Sequence, residues 1–318
     1  MSPGNAVPLL RPRADVVVLS SGDARLETSP ANGGTLIGWS VAGINLLRRR
    51  PPGEVDPLRS ACFPLAPFSN IVRNGGFSFQ NRFHPLARNH PLEPDPIHGD
   101  SWLAAWSVDE LAGRHLLMSY AHGASNGFPF RYYVSQELRL ARRSLSITLR
   151  LTNTDDRAMP AGLGLHPYFR RVPGARLQAA HAGRWEGTRV VDDRRFCTPR
   201  EIGEETVDVC YAGWLGLASL RWPRDEVILT LRAAAPASAL VVFSPSRCDF
   251  VCIEPVTHVN DGFSALASGV PNTGVRTLLP GEQMCLRTTI SVEVSGSPPR
   301  ASRSKARSCE SPGFAKRR

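Results

Sequence analysis

The chain has 318 residues, with 38 Lys+Arg against 28 Asp+Glu and a formal charge of +10. Such a balance points first to a polyanion partner, but Lys305 and Lys316 are the only two lysines, and a coding bias toward arginine gives the same surplus. The 27 glycines and 27 prolines exclude a long-helix protein, and no apolar stretch approaches the ~18 residues needed to span a bilayer.

In chain order, Arg11 and Arg13 precede a short run of valines, too short for a secretion signal, and residues 14–20 read as a first strand. The apolar stretch 36–47 is interrupted by Ser40 and Asn45. Two Gly/Pro-rich segments, 51–57 and 84–99, read as long loops, the kind of segment that carries function on a rigid scaffold. Strand-like runs follow at 116–120 and 133–140, with a turn at Ala141, Arg142 and Arg143. From Ser144 to Thr152 apolar and polar residues alternate without a fault, which predicts one buried and one wet face. Further strands are predicted at 227–231, 239–243, 250–253 and 284–294, and no segment holds a helical stripe over three turns.

These elements predict an all-β, antiparallel chain, one domain over 1–294 followed by a disordered basic tail over 295–318. Residues 300–318 hold seven Lys/Arg and one Glu, so most of the charge surplus belongs to the tail. The 7 cysteines lack a disulfide spacing and read as reduced thiols in a cytoplasmic protein. Cys248 and Cys252 have no second Cys or His pair to complete a zinc site.

Three places set an ionisable group in constrained backbone. His98 lies between a proline-rich loop and Gly99, with Trp102 and Trp106 close behind. Aromatic faces beside hydrogen-bonding groups suit a sugar ring. His166 precedes Pro167 and two aromatics, and can both donate and accept a proton near neutrality. Glu254 ends an apolar strand before Pro255, where desolvation raises a carboxyl toward the range of a useful base. Each taken alone also fits a structural role. A metal centre from the two histidines and the glutamate lacks a short ligand pair, although His98 and Asp100 are close in sequence.

In this order the segments resemble the aldose 1-epimerase (mutarotase) family. The matching residues are Phe63-Pro64-Leu65-Ala66-Pro67-Phe68-Ser69-Asn70, Ile97-His98-Gly99 with Trp102 and Trp106, and His166-Pro167-Tyr168-Phe169. Asp208-Val209-Cys210-Tyr211, Glu254-Pro255-Val256-Thr257-His258 and Pro280-Gly281-Glu282 complete the set, over about residues 14–293. The resemblance implies a large twisted antiparallel β-sandwich of the galactose mutarotase type and an isomerase that interconverts α and β anomers of a free hexose. By the same resemblance Glu254 takes the anomeric proton, His166 protonates the ring oxygen and His98 supports charge there. Asp208, Asn70, Arg73, Trp102 and Tyr168 bind the sugar. No cofactor and no metal is implied, and the partner is a small sugar rather than a nucleic acid or a membrane; the oligomeric state is not legible. One departure stands out: Ile71 occupies the position of the family's substrate-binding arginine, with Arg73 or Arg82 the candidates to replace it. A hexose-6-phosphate 1-epimerase of the same superfamily and a sugar-binding protein without turnover are the alternative readings.

Overall fold

In a computed structural model of the chain, residues 16–91 and 93–295 are described, and the tail expected over 295–318 lies outside them from residue 296 onward. A nine-stranded antiparallel sheet forms the larger layer. At its centre Ser144–Asn153 pairs with Tyr132–Ala141 on one side and Gln283–Val294 on the other. The pairing of Ala141 with Ser144 leaves Arg142 and Arg143 as the two-residue turn. The faultless alternation has the expected consequence: Leu145, Ile147, Leu149 and Leu151 point into the core, and the residues between them are half-exposed. Each such aliphatic side chain contributes roughly 1.5–3 kcal/mol on burial.

The second sheet runs, in spatial order, through Arg189–Val191, Gly183–Glu186, Val207–Ala212, Ala239–Ser244, Phe250–Val256, Gly164–Leu165 and Pro64–Leu65, with Tyr168–Arg170 also on Phe250–Val256. Its two central strands are buried along their whole length. Alternate residues of these strands serve different layers. Leu240, Val242, Val251 and Ile253 join the core between the sheets, while Val241, Phe243, Phe250, Cys252 and Val256 face a second apolar cluster with Phe63, Trp102 and Tyr168.

That parity fixes the site. Glu254 shares a side with Cys252 and Val256, and Asp208 with Cys210 and Ala212, because side chains two apart on a strand point the same way. Val241 lies opposite Glu254, and Phe243 opposite both Asp208 and Cys252. The two carboxylates thus stand on one face with a strand between them, turned away from the main core.

An N-terminal meander of Val17–Ser21, Ala24–Ser29, Thr35–Val41 and Ile44–Asn45 completes the sandwich, with the first strand starting later than the expected residue 14 among the described residues. Gly262–Ala267 is the sole α-helix of the described residues, and its Phe263 packs on Phe68 and Phe77.

Candidate active site

Phe63 is the hub of the second apolar face. Its ring stacks on His166 at 4.6 Å between centroids, meets His98 edge-on at 5.8 Å, and contacts Trp102 and Tyr168 at 5.5 and 6.2 Å. His166 also stacks with Tyr168, again at 4.6 Å. Both rings thus pack on the imidazole, and its backbone N–H donates to the Phe63 carbonyl at 3.0 Å. From there His166 Nε2 reaches Glu254 Oε1 at 3.4 Å. His98 crosses His166 at right angles, 5.3 Å between centroids.

The loop 84–99, read as functional from its proline content, delivers His98 through a backbone clamp. Asn89 Nδ2 donates to the carbonyls of Ile97 and Gly99, both at 2.7 Å, and Asn89 Oδ1 accepts from Ile97 N at 2.9 Å. His98 N donates to Asn70 O at 3.0 Å, while Asn70 N donates to His98 Nδ1 at 3.1 Å. An accepting Nδ1 leaves the ring proton on Nε2, so the neutral tautomer is set by the main chain. Gly99, at φ +68°, has no room for a side chain: a Cβ would stand 2.1 Å from the Ala66 carbonyl oxygen.

His98, His166 and Glu254 are each at most 2% exposed. Burial pushes the His98 imidazole down to about 3, and burial with the charge of Arg48 holds His166 well below its ordinary value. Burial, reinforced by the negative charge of Asp208, lifts the Glu254 carboxyl well above the carboxylate range. Two groups in contact thus have protonation preferences driven in opposite directions, the arrangement that separates an acid from a base. Cys252, on the same face of the Glu254 strand, completes a trio with His166 whose potential ligand atoms lie within 4.8 Å of one another. The chemistry proposed below asks only for proton transfer by the imidazole and carboxylate.

Other residues expected at the site have different stations. Trp102 is buried, its indole N–H donating to Gly99 O at 3.0 Å, so it backs His98. Asn70 supports His98 through its backbone, and its Oδ1 accepts from Ile71 N at 2.9 Å. Arg73 is two-thirds exposed and reaches Asp261 at 3.8 Å, and Arg82 is exposed on the strand Arg82–Pro85. Ile71 packs against the apolar cluster. Asp100, close to His98 in sequence, takes His122 Nδ1 at 2.6 Å and the Tyr132 hydroxyl.

His258 has both ring nitrogens satisfied, by Ser69 N at 3.0 Å and Val259 O at 2.8 Å, a structural role. Phe63, Asn89 and Arg48 were not singled out by spacing, because a hub ring, a loop clamp and a stacked guanidinium act through contacts distant in sequence. Gly123-Ala124-Ser125-Asn126-Gly127 has the spacing of a nucleophile elbow, but it forms an exposed turn between strands, where Ser125 Oγ accepts from Gly127 N at 3.0 Å.

The aldose 1-epimerase family profile matches residues 15–291. The uncharacterized protein YphB of Escherichia coli K12 is 29% identical over 297 residues, covering 87% of this chain and 99% of that one. A putative aldose 1-epimerase from Escherichia coli K12, solved by crystallography, superposes with a TM-score of 0.79 at 28% identity, over 88% of this chain and 99% of that one. A galactose 1-epimerase from Lactobacillus acidophilus superposes with a TM-score of 0.71 over 91% of this chain and 98% of its own, and at 17% identity shows likeness of fold.

Proposed function

The chain belongs to the aldose 1-epimerase family, and we propose that it interconverts the α and β anomers of a free aldose by acid–base ring opening and closure. The observation that carries this reading is the 3.4 Å contact of His166 with Glu254, both buried beside the rings of Phe63 and Tyr168. Burial favours the proton on Glu254 in the resting pair, and its transfer across the 3.4 Å contact as sugar binds gives the working tautomer, with the proton on His166. Glu254 removes the anomeric O1 proton, the C1–O1 bond becomes a carbonyl, the C1–O5 bond breaks and His166 protonates O5. Rotation about C1–C2 by half a turn presents the other face, and closure returns each proton along the reverse path. The proton count of the site never changes, so no exchange with solvent is needed in mid-reaction. His98, with its N–H on Nε2, donates to the oxygen that carries developing charge, and Asp208 accepts from sugar hydroxyls.

A free sugar is favoured over a sugar phosphate by the charges around the pair. Asp208 is the charge that bears on Glu254, Arg73 is occupied at Asp261, and Arg48 sits behind Tyr168. Polarimetry on freshly dissolved α-glucose, α-galactose and glucose 6-phosphate tests this: faster mutarotation of a free sugar supports the reading, and acceleration of the phosphate alone overturns it.

A further inference from the structure

On the opposite face of Tyr168 from His166 lies a cavity of about 730 Å³ lined by Arg48, Arg49, Arg170, Arg171 and Arg247. A ring accepts one stacked partner on each face. Arg48 Cζ sits 3.6 Å from the Tyr168 centroid, and His166 takes the other side. We propose that this cavity binds a small polyanion bearing phosphate or carboxylate groups, at a site separate from the sugar cleft.

The argument rests on how the arginines are held. Arg48 donates from Nε to Ser60 O at 3.1 Å and from its Nη2 to Leu58 O and Ser60 O at 2.6 and 2.7 Å. The Arg171 side chain, 7% exposed, donates to the carbonyls of Gly203 and Pro245 and to Ser244 Oγ at 3.2–3.3 Å. Arg170 donates to Asn45 O at 3.3 Å. Carbonyls and hydroxyls fix a guanidinium in place without cancelling its charge. The carboxylates of the same cavity, on Glu201, Glu204 and Asp249, belong to exposed residues at its rim; the Glu204 side chain is 85% exposed and 3.7 Å from Arg171. Arg49 and Arg247 are exposed and Arg49 pairs with Glu27, so the fixed positive charge comes from Arg48 and Arg171, each held by neutral oxygens. Such guanidiniums make a preorganised receptor for negative charge, because burying a cation without an opposite charge is costly. The guanidinium fork matches carboxylate and phosphate oxygens alike, and the cavity exceeds what one phosphate ion fills.

Calorimetric titration of the full-length protein with pyrophosphate and with citrate, at fixed ionic strength in chloride buffer, tests the site and separates the two ligand chemistries. One polyanion bound per chain is expected. Substitution Arg170→Ser with Arg247→Asn weakens it at least about tenfold, the scale of one lost charge-assisted hydrogen bond. Asparagine is chosen at 247 because that residue has φ 62°. Arg194→Ser with Arg195→Ser, in a separate arginine-lined cavity, leaves the affinity unchanged. No saturable binding of either probe, or equal weakening by the two pairs of substitutions, overturns the proposal. Melting curves of the variants confirm that the fold is intact, and Arg247→Asn alone is the reserve should the pair unfold. The readout is independent of sugar turnover, so failure here leaves the anomer reaction untouched.

Discussion

His166 and Glu254 touch at 3.4 Å with both side chains shut off from water. Burial disfavours the charged form of each, the imidazolium on one side and the carboxylate on the other. The pair therefore keeps one proton over a wide range of pH, since adding a second must charge the imidazole and removing the last must ionise the carboxyl.

A pH–rate profile follows from this. The imidazole is lowered, so the acid limb of kcat/KM falls below the ordinary histidine value; the carboxyl is raised, so the alkaline limb lies well above the ordinary glutamate value. Measured from about pH 5 to about pH 9, the rate holds steady through about 6.5. A limb centred there would show an ordinary, water-exposed histidine instead.

Stability responds to acid through the buried neutral histidines. The folded-state values of His98, about 3, and His258, about 4, are depressed, so the unfolded chain binds their protons first as pH falls below 6.5. Their contribution is complete above 6.5 and is lost on descending toward 4 and 3, at up to about 1.4 kcal/mol per unit for each group. Glu254, raised in the folded state, has the opposite sign in its own window above 4.5. The midpoint of urea unfolding should drop between about pH 6.5 and about pH 4, and drop less in His258→Gln. A flat midpoint across that window contradicts the burial account.

The clamp on the catalytic loop gives a mutational prediction. Asn89→Ala removes three hydrogen bonds to the residues flanking His98, each worth about 0.5–1.5 kcal/mol net. We expect a melting temperature lower by several degrees and kcat reduced about tenfold through a misplaced His98. A variant with lowered melting temperature and unchanged kcat would limit Asn89 to fold support.

Gly99→Ala is more damaging. The added methyl meets the Ala66 carbonyl and the φ of +68° is strained for alanine, together costing about 2–4 kcal/mol. Chemical denaturation measures the loss, and a cost below about 0.5 kcal/mol would mean that the loop moves away freely.

Some of this was legible in the sequence. Ser144–Asn153 declared itself because one face is solvated, so polarity tracks orientation at every step. Phe250–Val256 carries the same geometry without an alternation, since both of its faces are covered, and which side Glu254 takes depends on pairing with a strand that sequence spacing does not reveal. His98, His166 and Glu254, the candidate acid–base residues, stand out through the family motifs and the constrained backbone around them. The Phe63 hub and the Arg48 stack rest on contacts made across the chain, and leave no local pattern. Trp102, expected to line the sugar, donates its indole N–H to Gly99 O, a bond its sequence context does not reveal.

Saturation-transfer NMR on equilibrated glucose and galactose, comparing the native protein with Glu254→Gln and His166→Asn, tests the central claim most directly. The native protein should exchange magnetisation between α and β anomeric signals faster than buffer, and each substitution should slow that exchange by about 10²–10⁴-fold. Absence of exchange with every common aldose, or undiminished exchange in Glu254→Gln, would contradict the account.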